Sequence, residues 1–132
     1  MRRLDHIGIA VSSIEERLEV YRALGLEVAG REEVTSEKVR VAFLPVGETR
    51  IELLEPTEAV SPVAAFIARR GEGIHHLCIR VDDIRVAMAE LKSKGLQLLS
   101  DEPRPGAHGT LVCFVHPRSA GGVLIELSQA GG

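Results

Sequence analysis

The chain opens on a segment in which large apolar residues alternate with small or polar ones, and the same pattern returns in its middle. The first copy is LDHIGIAV (residues 4–11) and the second is IHHLCIRV (residues 74–81). Because side chains of a β-strand point alternately to its two faces, each copy predicts a strand with one aliphatic face and one face that carries a histidine. His6 is that histidine in the first copy. In the second, His75 falls on the aliphatic face, so His76 is its predicted counterpart.

A helical period follows each of these strands. Ile14, Leu18 and Tyr21 recur at the spacing of one helix face, with Ser13 before them as an N-cap and Gly25 after them as a stop. An offset of 70 residues carries this segment onto the second half of the chain. The repeated helix has the N-cap Asp83, the apolar face Ile84, Met88 and Leu91, and the stop Gly95.

Three more strands are predicted after each helix, over 26–31, 38–45 and 49–55 and then over 96–101, 110–116 and 122–128. Each half is therefore a βαβββ module, and Pro62 marks the start of a short linking helix between them. Four strands alone would leave one sheet face uncovered, so we expect an α+β fold in which the tandem modules pair into a mixed, curved eight-stranded sheet around a metal cavity. Residues 1–132 are predicted to form a single domain, with module one at 1–56, the linker at 57–72 and module two at 73–132.

Composition excludes several classes of protein. The 132 residues are 45% hydrophobic and 27% charged, as in ordinary globular domains, and the net charge of −3 gives no basic surface for nucleic acid. No apolar segment is long enough to span a membrane and none resembles a signal peptide, so a cytoplasmic protein is expected. Cys78 and Cys113 lie in apolar runs without metal-clip spacing, which predicts buried, reduced thiols.

The tripeptide Ile-Glu-Leu also occurs twice, around Glu52 and around Glu126. A glutamate in the middle of an apolar strand is commonly the solvent-facing residue, and burying it is costly without a compensating cation. Two histidines and two glutamates at repeat-equivalent positions favour the second interpretation. We therefore predict a metal site whose ligands are His6, Glu52, His76 and Glu126.

Mixed imidazole and carboxylate ligands suit a borderline divalent ion. Co2+, Mn2+, Ni2+, Fe2+ or Zn2+ would all be accommodated. Such an ion can act as a Lewis acid that stabilises negative charge developing on a substrate carbonyl oxygen. The chemistry that this predicts is proton abstraction next to a carbonyl group.

The sequence resembles the methylmalonyl-CoA epimerases of the vicinal oxygen chelate superfamily. The resemblance lies in LDHIGIAV (4–11), GIHHLCI (73–79), GAHG (106–109), and the segment from His116-Pro117 to GGVLIEL (121–127), and it extends over essentially the whole chain. It implies inversion of the α-carbon of methylmalonyl-CoA by proton abstraction through a metal-stabilised enolate. It also implies an acyl-CoA substrate and a homodimer, although no glycine fingerprint for the nucleotide is present.

Epimerisation requires proton exchange on both faces of the substrate carbon. Glu52 and Glu126, one from each module, are the natural acid/base pair as well as metal ligands. One departure bears on this assignment. Some similar epimerases carry Gln in place of Glu52 and a separate glutamate on the preceding strand, whereas VRVAFL (39–44) contains no carboxylate. Glu37, just before that strand, is an alternative second base.

Three other functions are compatible with parts of this pattern. A glyoxalase I-like lyase or isomerase acting on a glutathione thiohemiacetal would use similar ligands and the same enolate chemistry. An extradiol dioxygenase would need two histidines and one carboxylate, so Glu52 would be superfluous there. A non-enzymatic small-molecule-binding resistance protein would need none of the four ligands.

Overall fold

The computed structural model of the protein describes residues 2–131. Its strands are β1 (Arg3–Ala10), β2 (Gly30–Val34), β3 (Val39–Val46), β4 (Thr49–Pro56), β5 (Gly73–Arg80), β6 (Arg104–Pro105), β7 (Leu111–Val115) and β8 (Ile125–Gln129). Its α-helices are α1 (Ile14–Ala23), α2 (Pro62–Arg70) and α3 (Ile84–Ser93), and short 3₁₀ turns occupy Ala107–Gly109 and Pro117–Ala120. In this part of the chain no helix is long and apolar enough to cross a membrane.

Within the described range the strands form one mixed sheet in the order β2-β3-β4-β1-β5-β8-β7-β6. The pairs β1–β4 and β5–β8 are parallel, whereas β2–β3, β3–β4, β6–β7 and β7–β8 are antiparallel. The predicted α+β fold with an eight-stranded mixed sheet built from two βαβββ modules is confirmed.

Contacts along the chain define two compact units, and their boundary falls inside β1 and β5. One unit contains His6–His75, and the other contains the chain from His76 onward together with the residues before His6. That the 132 residues behave as a single folding domain remains a prediction, which one cooperative unfolding transition would support.

In the first unit, α1 covers an apolar cluster in which Leu18 is fully buried beside Ile14 and Leu53. The helix begins where predicted, because the Ser13 hydroxyl accepts a hydrogen bond from the Glu16 amide at 3.3 Å. A second acceptor was not predicted. The Ile14 amide donates to Glu55 Oε1 at 2.9 Å, which ties the first turn of α1 to the end of β4.

The second unit repeats this arrangement. Asp83 caps α3 through the amides of Arg85 and Val86, and Ile84 and Met88 are buried on the predicted face. The Ile84 amide donates to Gln129 Oε1 at 2.8 Å. Gln129 at the end of β8 and Glu55 near the end of β4 occupy equivalent positions in the two modules. Both modules therefore use a strand side chain to cap the helix of the same module, but this side chain is charged in the first module and neutral in the second.

The predicted strands at 26–31 and 96–101 are wrong in position. The first strand after α1 is Gly30–Val34, and 96–101 contains only an isolated bridge between Leu98 and Val115, with the edge strand β6 lying later. The last strand begins at Ile125 rather than at 122. Apolar residues of the mispredicted runs, such as Leu26 and Leu98, pack against the two core clusters, so their apolar spacing reflects burial in the core.

The linking helix is confirmed. It begins at Pro62 with Ser61 as its N-cap, and the Ser61 hydroxyl accepts a hydrogen bond from the Val63 amide at 3.1 Å. The hydroxyl also donates to the carbonyl oxygen of Glu37 at 3.4 Å, so it links the helix to the turn before β3.

Candidate metal centre

The first histidine and the first glutamate form a buried pair. His6 of β1 and Glu52 of β4 are 5% and 4% exposed, and His6 Nδ1 lies 3.1 Å from Glu52 Oε2. Parallel pairing places Gly8 opposite Glu52, so the histidine two residues earlier shares the face on which the carboxylate projects. Gly8 and Ala10, which share that face of β1, are small and buried.

Glu52 also has a charged neighbour that the sequence analysis missed. Arg50 precedes it by two residues on β4, and Arg50 Nε donates to Glu52 Oε2 at 2.8 Å. The guanidinium carbon lies 5.8 Å from the ring centroid of Phe43, which is the register partner of Glu52 on β3. Strand alternation alone places Arg50 and Glu52 on one face, and that was the available signal.

The second histidine and the second glutamate form an equivalent pair. His76 of β5 and Glu126 of β8 are buried, with His76 Nε2 at 3.0 Å from Glu126 Oε1. The imidazole meets the ring of Phe114 edge to face, with ring centroids 6.2 Å apart. Phe114 is the register partner of Glu126, as Phe43 is of Glu52.

The adjacent histidine has different surroundings. His75 packs edge to face against Phe66 of α2, with ring centroids 5.0 Å apart. The structure therefore brings His6 to Glu52 and His76 to Glu126, and it gives His75 an aromatic neighbour. The choice of His76 over His75 as the candidate ligand remains a prediction, and the burial of His76 beside a carboxylate supports it.

The donor atoms in the two pairs are chemically suited to a divalent cation. His6, His76 and Glu126 each offer a buried nitrogen or carboxylate oxygen of the kind that binds metal ions, and Glu52 offers a second buried carboxylate. Glu52 already has the positive charge of Arg50 beside it, and Glu126 is buried next to His76, so a bound cation would offset the remaining cost of burying these carboxylates. That the four residues are ligands of one metal ion remains a prediction.

Comparison with known proteins decides the family. The model of the glyoxalase/bleomycin resistance protein/dioxygenase superfamily matches residues 5–114. The chain belongs to this superfamily. The matched range contains His6, Glu52 and His76 and ends before Glu126.

Within the superfamily, the chain is similar to individual proteins named as epimerases. The chain is 43% identical over 130 residues to the mitochondrial methylmalonyl-CoA epimerase of Bos taurus, covering 97% of this chain and 74% of the relative. It is 42% identical to the ethylmalonyl-CoA/methylmalonyl-CoA epimerase of Cereibacter sphaeroides, covering 96% and 97% of the two chains. A solved structure of a Streptomyces coelicolor methylmalonyl-CoA epimerase variant in complex with 2-nitronate-propionyl-CoA aligns with a TM-score of 0.94 at 38% identity, covering 98% of both chains. The resemblance inferred from sequence motifs is confirmed.

The residue before His6 takes part in an ion pair. Asp5 is buried, and Arg80 Nη2 donates to Asp5 Oδ1 at 2.5 Å. Arg80 Nε also donates to the hydroxyl of Ser128, the register partner of Arg80 on β8, at 3.3 Å. An acidic residue beside a candidate ligand is therefore neutralised by its own arginine.

The two cysteines are free and buried, as predicted. Burial of the thiol, and to a smaller extent the nearby negative charge of Glu126, raise the pKa of Cys113 to about 11. A thiol with this pKa stays protonated at neutral pH, so Cys113 is suited to packing rather than to nucleophilic or ligand chemistry.

Glu37 and His108 lie in turns. Glu37 is half-buried in the turn before β3, and its role as an alternative base remains a prediction. His108 is exposed and adopts a positive φ of 56° between Ala107 and Gly109.

Proposed function

We propose that this chain is a metal-dependent epimerase that inverts the α-carbon of methylmalonyl-CoA. The observation that carries the proposal is the pair of buried histidine–glutamate contacts at repeat-equivalent positions, His6–Glu52 and His76–Glu126. Its second support is similarity over nearly the whole chain to proteins named methylmalonyl-CoA epimerase.

In this proposal His6, Glu52, His76 and Glu126 together hold one divalent ion. We favour Co2+ or Mn2+, because a set of two imidazoles and two carboxylates suits borderline and harder ions and contains no thiolate. When bound, the ion supplies a Lewis acid that stabilises negative charge on the substrate oxygens. Methylmalonyl-CoA offers a thioester oxygen and a carboxylate oxygen on either side of the carbon that is inverted, so a chelating substrate suits the site.

Glu52 and Glu126 are proposed as the acid/base groups. One carboxylate accepts the α-proton, and the electron pair left on carbon delocalises into the thioester as an enolate. The other glutamate, in its protonated form, returns a proton to the opposite face of the same carbon. The enzyme is left with the proton on the first glutamate, which is the state needed for the reverse direction, so no external acid or base is consumed.

The substrate class follows from the relatives rather than from a binding motif. The solved relative binds 2-nitronate-propionyl-CoA, and the Cereibacter sphaeroides relative is named for ethylmalonyl-CoA as well as methylmalonyl-CoA. An acyl-CoA with an acidic carbon between two carbonyl groups is therefore the proposed partner.

The test is proton NMR of methylmalonyl-CoA in deuterated water with metal-loaded protein. Exchange of the α-proton together with interconversion of the two epimers is the expected result. A parallel reaction with the hemithioacetal of methylglyoxal and glutathione examines the glyoxalase I alternative. Turnover of that substrate without exchange on methylmalonyl-CoA would replace the proposed function, and binding of either compound without turnover would favour a resistance-type binding protein.

Two further parts of the proposal concern assembly and location. We propose a homodimer, for which β2 and β6, at the two ends of the strand order, are candidate contact surfaces, and light scattering of the purified protein tests it. We propose a cytoplasmic protein, supported by two buried cysteines that are not in a disulfide, as expected of a reducing compartment.

A further inference from the structure

We infer that Arg50 is a positioning residue that orients Glu52 as a metal ligand and so makes the two halves of the repeat unequal. The inference rests on the metal-binding part of the proposed function. It concerns a residue of the first half for which the second half has no equivalent.

The position of Arg50 is fixed from two sides. Its Nε donates to Glu52 Oε2 at 2.8 Å, and its guanidinium lies over the ring of Phe43 at 5.8 Å. The Arg50 side chain is only 24% exposed. Packing on an aromatic face limits the directions in which a guanidinium can donate, so the donor remains aimed at Glu52.

Glu52 Oε2 receives a second contact from His6 Nδ1 at 3.1 Å. One carboxylate oxygen is thus contacted by two nitrogen-bearing groups that approach from different strands. Two such contacts define the plane of the carboxylate more closely than one contact does. Glu52 is therefore presented in a preset orientation.

The second half differs at this point. Two residues before Glu126 the chain has Leu124, which offers no side-chain donor. Phe114, the counterpart of Phe43, packs against the imidazole of His76 instead of a guanidinium. Both glutamates contact a histidine of their own half, and an arginine lies two residues earlier on the strand before Glu52 but not before Glu126.

The effect on metal affinity has two opposing components. A positive guanidinium near a cation site weakens binding electrostatically, while orientation of the carboxylate strengthens it. The guanidinium is partly exposed, which screens its charge, whereas the hydrogen bond acts directly on a buried ligand. Removing a hydrogen-bonding partner of a ligand typically weakens metal binding by about 10- to 100-fold. We therefore expect orientation to dominate.

Calorimetric titration of Co2+ into wild type, Arg50→Met and Arg50→Lys tests the inference. Arg50→Met keeps most of the side-chain length and removes the donor, so affinity should fall about 10- to 100-fold. Arg50→Lys restores a donor and should recover part of the loss. Arg31→Met is the matched control, because Arg31 also pairs with a glutamate, Glu15, but on an exposed surface. The affinity of Arg31→Met for Co2+ should equal that of wild type.

A double variant separates positioning from a general effect on folding. If Arg50 acts through Glu52, Arg50→Met should cause little further loss of affinity in a Glu52→Ala background, which removes the acceptor, but its full loss in a Glu126→Ala background. Equal affinities of wild type and Arg50→Met, or an undiminished loss in the Glu52→Ala background, would overturn the inference while leaving the proposed function intact. Absence of any Co2+ binding by wild type would overturn both the inference and the metal site. Metal binding without epimerisation would overturn only the proposed reaction.

Discussion

Replacing Glu126 with Gln should suppress proton exchange at the substrate carbon far more than it destabilises the protein. Glu126 is 7% exposed, and its Oε1 lies 3.0 Å from His76 Nε2. Glutamine has nearly the same volume and its amide can still hydrogen-bond the imidazole, so packing should survive. What is lost is a group able to accept and return a proton.

The two effects differ in size. Weakening one charge-assisted hydrogen bond while keeping a neutral one costs about 1 kcal/mol, which leaves a protein of ordinary stability folded. Loss of a general acid or base slows a reaction by about 100- to 10,000-fold, equivalent to about 3–5 kcal/mol in the activation barrier. The same reasoning applies to Glu52→Gln. A small change in unfolding free energy should therefore accompany a large loss of exchange.

The assay is deuterium incorporation into methylmalonyl-CoA followed by NMR, with metal at saturating concentration so that weaker metal binding does not by itself stop the reaction. Glu55→Gln on β4 is the matched control. Glu55 contacts the first turn of α1, and Gln129 already makes the equivalent bond in the second half, so exchange should be unchanged. Wild-type exchange rates in both Glu52→Gln and Glu126→Gln would refute the roles assigned to the two glutamates.

Three predictions concern stability and ionisation. Leu18→Ala should lower the free energy of unfolding in urea by about 2–5 kcal/mol, because Leu18 is fully buried. Leu24→Ala should change it by less than about 0.5 kcal/mol, because Leu24 is 70% exposed. Equal losses in the two variants would contradict the described core. Gly25→Ala should cost about 1–2 kcal/mol because Gly25 has a φ of 88°, and an unchanged melting curve would be inconsistent with that backbone. The pKa of Cys113 is raised from 9.0 to about 11 in the folded protein, so the thiol of the unfolded state loses its proton at lower pH and the free energy of unfolding should fall as pH rises between these values. The free energy of unfolding of Cys113→Ala should fall less steeply over the same range. Equal slopes for the two proteins would argue against the burial of this thiol.

The central strands and the four candidate ligands were accessible to sequence reasoning because both depend on the two-residue period of a strand. That period places His6 with Gly8, separates His76 from His75, and sets Glu52 apart from its aliphatic neighbours. The repeat then separated these residues from ordinary strand residues, because a histidine and a glutamate occur at equivalent positions in both halves. A single histidine or glutamate in one strand would not have indicated a metal site. The structure gives each histidine the glutamate of its own half.

The edges of the sheet were less predictable. Leu26 and Leu98 show the apolar spacing of strands, yet they serve to close the clusters under α1 and α3. β6 covers only Arg104–Pro105, two residues without any hydrophobic alternation. A short edge strand forms because a neighbouring strand offers backbone groups for hydrogen bonding. The hydrophobic pattern of the edge residues themselves does not record that neighbour.

Side-chain partners were also missed where they join distant segments. Asp5 and Arg80 lie 75 residues apart, and Ile14 and Glu55 lie 41 apart. Nothing in the local sequence of either residue indicates the other. Arg50 and Glu52 are the exception, since two residues on one strand share a face and opposite charges at that spacing are a usable signal.

If both histidine–glutamate pairs hold the same ion, each chain has a single metal site, and the stoichiometry of Co2+ binding measures this. Calorimetric titration of metal-free wild type should give one ion per chain. His6→Ala and His76→Ala should each greatly weaken that single event, and His75→Ala should leave it unchanged. Two independent binding events, or one event that persists at full affinity in either of the first two variants, would contradict a shared site.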